Sequence, residues 1–176
     1  MANEHETTLS ALQTAIRMEI DGKEFYQQAG KSSRNPLGKS LLKKLAAEED
    51  VHRKVFENIF NTIRTKKGWP GGKIEVHTGK SLRTVFSEAL KEMDRDVKTV
   101  PSEMDAIQTA MGMENKTYDY YKERGKKAAY DAEKQFYEAL AVQEEEHHRL
   151  LLDYFEFLKN PAAYFVQKEP HSLDGG

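Results

Sequence analysis

The chain has 176 residues, enough for a single domain with a substantial core, and its 27 Lys+Arg against 29 Asp+Glu give a formal net charge of −2. Charged residues make up 32% of it and the mean hydropathy is −0.78, which predicts heavily solvated helix faces and no basic excess for nucleic acid or an anionic membrane. With no cysteine, disulfides, thiolate metal sites, iron–sulfur clusters and thiol catalysis are excluded, and any redox chemistry must rest on oxygen and nitrogen ligands.

Four long segments carry helical periodicity. The first runs from about Thr8 to Ala29, with Leu12, Ala15, Glu19, Gly22 and Tyr26 on one stripe and Gly30 as its expected stop. The second opens at Asn35-Pro36, a cap residue followed by proline at the first helical position, and ends before Lys67-Gly68. Its stripe is Leu45, Glu49, His52, Phe56, Ile59 and Ile63. Trp69-Pro70-Gly71-Gly72 and a polar stretch then lead to a shorter helix expected from Ser81 to about Lys98. The third long helix opens at Pro101-Ser102, where Asp105 completes a capping-box-like arrangement. Its stripe holds Ile107, Ala110, Glu114, Thr117 and Tyr121. The fourth begins near Asp131, presents Tyr137, Leu140, Glu144, His147, Leu151, Tyr154 and Leu158, and terminates at Asn160-Pro161.

No alternating strand pattern longer than a few residues interrupts this sequence. The expected fold is all-α: a four-helix bundle of two helical hairpins with a long crossover containing a short extra helix. One domain over residues 1–176 is expected, with the bundle over about 8–158, the crossover over about 65–101 and a tail over 161–176. Tyr164, Phe165 and Val166 give that tail a means of packing on the bundle or a second subunit, and its last residues are expected to be mobile. No apolar run approaches the ~18 residues of a membrane helix. Met1–Glu6 does not read as a signal peptide, so the cytoplasm is the expected location.

Shifted by 95 positions, residues 9–56 lie over 104–151 without a gap and share 14 identities in 48 positions. A long internal repeat signals a duplicated structural unit. The identities include Glu19/Glu114, Glu49/Glu144, His52/His147, Tyr26/Tyr121 and Gly30/Gly125. Each helix therefore carries a Glu inside its own apolar stripe, where a bundle normally places Leu or Ile. Four converging buried carboxylates repel one another unless they are protonated, paired or bound to metal, and no Lys or Arg occupies these stripe positions.

Two divalent ions resolve the charge: four carboxylates contribute −4, two neutral imidazoles nothing, and two M²⁺ ions +4. Residues i and i+3 face the same way on a helix, so Glu49/His52 and Glu144/His147 each address one site. Glu-x-x-His alone on a charged helix is usually a solvated pair, and Glu48, Asp50, Glu145 and Glu146 surround these motifs. The repeat outweighs that reading because it brings six positions into register together. It also separates Glu144/His147 from Glu145/His148, since His148 aligns with Arg53. Such an oxygen-rich set with some imidazole suits iron or manganese better than tetrahedral zinc.

The pattern of one Glu from each of two helices and Glu-x-x-His from each of the others is that of ferritin-like di-iron carboxylate proteins. Ala15-Ile-Arg-Met-Glu-Ile-Asp-Gly-Lys-Glu-Phe-Tyr26, Leu45-Ala-Ala-Glu-Glu-Asp-Val-His52 and Leu140-Ala-Val-Gln-Glu-Glu-Glu-His147 resemble the rubrerythrin branch of that superfamily over roughly residues 8–158. The resemblance implies Glu19 and Glu114 as terminal carboxylates, Glu49 and Glu144 as bridging ones, and His52 and His147 as terminal imidazoles. It implies two iron ions, with manganese or a mixed pair as alternatives. Tyr26 and Tyr121 stand where a family tyrosine hydrogen-bonds a ligand carboxylate; filling core is the other role open to them. Two departures stand out. There is no rubredoxin-like domain with four cysteines, and Thr117 occupies the position of an additional family Glu associated with peroxide reduction.

The expected function is a di-iron oxidoreductase that reduces hydrogen peroxide or dioxygen with electrons from a separate donor, such as a rubredoxin-like protein. A ferroxidase site for iron storage or detoxification is the alternative, although storage needs a hollow multi-subunit shell and this long crossover is unlike the short connections of shell-forming bundles. A metal-free structural bundle is the third reading. A homo-oligomer, a dimer, is expected, and the crossover is long enough to let helices exchange between subunits. His5, His77, His148 and His171 are expected at the surface.

Overall fold

The computed structural model describes residues 2–66, 68–72, 74, 76, 81–91 and 100–168. Among them are six helices and no strand: α1 (Ala2–Ser32), α2 (Pro36–Lys66), α3 (Leu82–Lys91), α4 (Pro101–Lys127), α5 (Asp131–Lys159) and α6 (Pro161–Lys168). None of these is long and apolar enough to cross a membrane. The all-α expectation holds, with α1–α2 and α4–α5 forming the two hairpins.

Local chemistry sets most helix ends where the sequence put them. Asn35 Oδ1 accepts the Gly38 N–H at 2.7 Å, and Pro36 follows at the first helical position, where its missing donor costs nothing. At the other end of the chain, Asn160 closes α5 and its Oδ1 accepts the Ala163 N–H at 3.1 Å, starting α6. The tail is thus a further helix, and Tyr164 packs edge-on against Phe157 with centroids 5.6 Å apart.

Three boundary expectations need correction. α1 begins at Ala2 rather than near Thr8 and runs through Gly30 to Ser32, because a glycine alone does not stop a helix whose carbonyls still find donors, as Ala29 O does from Ser33 N at 2.9 Å. The capping box at Ser102 does not form. Val100 is the N-cap without a side-chain bond, so Ser102 is already inside the helix, and Ser102 and Asp105 are both exposed. The crossover helix is described over Leu82–Lys91, with Ser81 Oγ accepting the Thr84 N–H at 3.2 Å. The rest of its expected span, His77, His171 and the tail end after Lys168 lie outside the described residues.

The core is built in three layers along the bundle. One apolar cluster gathers Leu37, Leu41, Leu42 and Leu45 of α2 with Ile107 of α4 and Leu151, Tyr154 and Phe157 of α5. The other gathers Leu12 and Ala15 of α1 with Phe56 and Ile59 of α2, Tyr121 of α4 and Phe136, Tyr137 and Leu140 of α5. Burying each large side chain contributes about 1.5–3 kcal/mol. Between the clusters, at mid-length on all four long helices, lies a layer of buried carboxylates and imidazoles. Only strong apolar packing on both sides can hold such a layer dry.

Candidate metal centre

Glu19, Glu49, His52, Glu114, Glu144 and His147 are all brought together, and none is more than 3% exposed. Their donor atoms form two overlapping groups, each with all its atoms within 4.8 Å of one another. One is Glu19, Glu49, His52 and Glu144; the other is Glu49, Glu114, Glu144 and His147. Glu49 and Glu144 belong to both. Each terminal Glu therefore has its own histidine, and the pair shared between groups comes from the two Glu-x-x-His helices.

The near-twofold relation extends to distances. His52 Nδ1 lies 3.4 Å from Glu19 Oε2 and 3.3 Å from Glu144 Oε1. His147 Nδ1 lies 3.5 Å from Glu114 Oε1 and 3.2 Å from Glu49 Oε1. The two imidazole rings stack nearly parallel, at 9° and 5.8 Å between centroids. His148 is only half-buried and joins neither group, whereas His147, which the repeat aligns with His52, joins one.

Seven buried polar atoms of this layer have no hydrogen-bond partner: Glu19 Oε2, Glu49 Oε1, Glu114 Oε2, both Glu144 oxygens, and Nδ1 of His52 and of His147. An orphaned buried carboxylate oxygen is costly, and native interiors rarely leave one. Here the orphans converge. Carboxylate oxygens and imidazole nitrogens with no other partner form a donor set that, once deprotonated, fits hard to borderline divalent cations.

Electrostatics favour the same fit. Burial, then repulsion from Glu19 and Glu114, pushes the Glu49 carboxyl well above the usual range. Burial, then Glu114, Glu49 and Glu19, does the same to Glu144. Burial also pushes Glu114 upward, but attraction to His147 outweighs it and leaves this carboxyl below its ordinary value. For His52, burial works against the charged form, yet Glu19 and Glu49 lift it to about 10; His147 is likewise raised, against burial, by Glu114. Without a cation the layer can relieve its repulsion only by holding protons; two divalent ions would displace them.

Tyr26 and Tyr121 do more than fill core. Tyr26 Oη donates to Glu114 Oε1, and Tyr121 Oη donates to Glu19 Oε1. Each tyrosine reaches the terminal Glu of the opposite half, leaving that residue's Oε2 as the unpartnered oxygen. On Glu19 the free Oε2 is the oxygen 3.4 Å from His52, whereas on Glu114 the tyrosine-bonded Oε1 itself lies 3.5 Å from His147.

Three neighbours have no role in the sequence reading. Gln143 Oε1 lies 2.7 Å from His52 Nε2, and with the amide oxygen accepting, the neutral ring has its Nδ1 lone pair toward the carboxylates. Gly22 sits against Glu49: a Cβ there would come within 2.7 Å of Glu49 Oε2. Glu48, which the overlay pairs with Gln143, is buried rather than solvated, with Lys44 Nζ 3.4 Å away. A polar residue beside a ligand motif was the available signal for Gln143 and Glu48. Thr117 turns its hydroxyl to the Met113 carbonyl of its own helix at 3.1 Å and adds no carboxylate to the layer.

A family model described as Rubrerythrin matches residues 10–155. Neither a curated protein nor a solved structure matches the chain.

Proposed function

The chain belongs to the rubrerythrin family, and from that premise we propose that it is a di-iron oxidoreductase reducing hydrogen peroxide or dioxygen with electrons from a separate donor. The observation that carries this reading is the pair of overlapping ligand groups sharing Glu49 and Glu144. Glu19 and His52 would serve one ion, Glu114 and His147 the other, and Glu49 and Glu144 both. Two ferrous ions held there would supply two electrons to the oxidant and act as paired Lewis acids. Manganese or a mixed pair suits the same donors.

The chain's own contribution is placement and exclusion. Four helices fix six donors before any ion arrives, so binding need not order them. The apolar clusters on either side keep bulk water from the layer and strengthen its electrostatics. Tyr26 and Tyr121 hold Oε1 of Glu114 and of Glu19 and bring a phenolic proton to each carboxylate. These 176 residues hold no cysteine for an iron–sulfur relay, and we assign the electrons to a separate donor and the chemistry to the cytoplasm.

Peroxide consumption by the reduced, iron-loaded protein tests the reading. A stoichiometric two-electron oxidation faster than that by the same amount of free ferrous ion is expected. Consumption no faster than free iron would remove the proposal.

A further inference from the structure

One end of the bundle carries an unbroken line of rings from the ligand layer to the crossover. Tyr121, bonded to Glu19, lies 5.9 Å from Tyr137 between centroids. Tyr137 lies 6.3 Å from Trp69, the only tryptophan of the chain, which is half-buried beyond the end of α2. Phe56 and Phe136 run beside this line, with Phe56 5.5 Å from Tyr121 and Phe136 5.7 Å from Trp69. These centroid separations put neighbouring rings in van der Waals contact.

Packing alone does not require aromatics here, because the repeat supplies an internal control. The positions equivalent to Phe56, Phe136 and Tyr137 in the other half are Leu151, Leu41 and Leu42. All three leucines are fully buried in the opposite apolar cluster. Tyr26, the counterpart of Tyr121, has Phe25 of its own helix as its ring neighbour among the described residues. At these three positions the two ends thus differ, leucine at one and rings at the other, although Tyr154 and Phe157 add rings of their own to the leucine end. The ringed end is the one that reaches the surface at Trp69.

We propose that Trp69 and Tyr121 are the two stations of a single-electron relay, joined through Tyr137 and its flanking phenylalanines, between the metal centre and the crossover surface. The proposal rests on the di-iron reading only for its oxidant. Tyr121 gives one electron to the oxidised centre and passes its phenolic proton along the existing bond to Glu19 Oε1. Trp69 then gives one electron to the Tyr121 radical, which takes its proton back, and an external one-electron donor restores Trp69. Net transfer is one electron inward with no proton left on the path. Tyr137 is a bridge and not a station, since among the described residues no group accepts a hydrogen bond from its buried Oη.

Loading the full-length chain with zinc, which takes no part in electron transfer, tests the relay apart from peroxide chemistry. Flash-generated ruthenium(III) polypyridyl oxidises Trp69, and transient absorption follows the tryptophanyl radical. In the parent protein this signal should decay as a tyrosyl signal rises. In Tyr121→Phe, which keeps the ring, that coupled decay should be lost. Tyr137→Leu, the residue used by the other half, should also lose it, with helix content by circular dichroism confirming the fold; if that variant does not fold, Tyr121→Phe decides. Identical tryptophanyl decay in the parent and Tyr121→Phe overturns the relay whatever the iron-loaded protein does with peroxide. Conversely, a coupled decay with no peroxide consumption leaves the relay standing and removes the di-iron reading.

Discussion

Tyr26 donates its phenolic hydrogen bond to Glu114, a residue 88 positions away on the opposite half of the repeat. The overlay had placed Tyr26 two turns beyond Glu19 on the same helix, and the reciprocal bond from Tyr121 does reach Glu19. Because α1 and α4 run antiparallel, two turns along one helix arrive beside the terminal Glu of the other. The crossed pair therefore ties the halves together at the layer where carboxylate repulsion pushes them apart.

Replacing either tyrosine with Phe keeps the ring packing and removes one buried donor. A carboxylate oxygen left without its partner costs about 1–3 kcal/mol. Tyr26→Phe and Tyr121→Phe should each lower the denaturant midpoint of the metal-free protein by a corresponding amount. In the double variant the losses should depart from simple addition, since both donors serve one coupled network. Unchanged midpoints in both single variants would mean the bonds contribute nothing.

Metal stoichiometry separates shared from terminal carboxylates. Glu49→Gln or Glu144→Gln removes a donor from both groups and should bring bound metal well below one equivalent per chain. Glu19→Gln or Glu114→Gln removes a donor from one group and should leave close to half the parent content. His147→Ala should behave as a terminal variant while His148→Ala binds as the parent does. Elemental analysis after equilibration with ferrous ion distinguishes these outcomes, and equal losses across all four Glu variants would contradict the sharing.

What the sequence made legible follows from periodicity. Buried Glu in an apolar stripe is a signal that needs no tertiary information, and the repeat multiplied it to six positions. That is why the bundle and the convergence of these six side chains, His147 among them, were readable. The misses depend on which helix faces which. Glu103 is one: its position in the first turn of α4 reads as solvated, yet it is buried and accepts from Ser33 Oγ at 2.5 Å and from Tyr154 Oη at 2.6 Å. Gly38 beside it leaves the room this network occupies. Neither the loop after α1 nor α5 announces in its own sequence that it will meet α4 there. The capping box failed for a related reason, since Pro101 can begin the helix one residue before Ser102 and no local rule forbids it.

Gly22→Ala should act with opposite signs on the two forms of the protein. In a helix interior the change from Gly to Ala gains about 0.5–1 kcal/mol through reduced backbone freedom. The new Cβ would meet Glu49 Oε2 at 2.7 Å, the free end of a flexible side chain that can swing aside when no ion holds it. With metal bound, Glu49 is pinned and the contact must be relieved by displacing a ligand. The metal-free variant should therefore melt at or above the parent temperature while its metal affinity falls. A variant that binds metal as tightly as the parent would show that Glu49 is not held in this position.

The pH dependence of stability should distinguish the two forms as well. Unfolded Glu and His titrate near about 4.3 and 6.5. Glu49 and Glu144 are raised in the folded state, so each holds its proton more tightly there and destabilises the fold as pH climbs above about 4.3. His52, raised to about 10, contributes stability that is complete below about 6.5 and is lost as pH rises through about 10. His147 shifts the same way. Glu114 is lowered, and its contribution is present above about 4.3 and lost only as pH falls below that value. Above about pH 4.3 the shifted layer groups that still change therefore act in one direction, and the metal-free protein should melt at progressively lower temperature toward pH 10. Metal displaces the same protons, so its stabilisation grows with pH over that window. Thermal melts with and without ferrous ion or zinc, stepped in pH, should show the gap between the two forms widening. A gap that stays constant would mean that Glu49, Glu144, His52 and His147 are not the groups the metal deprotonates.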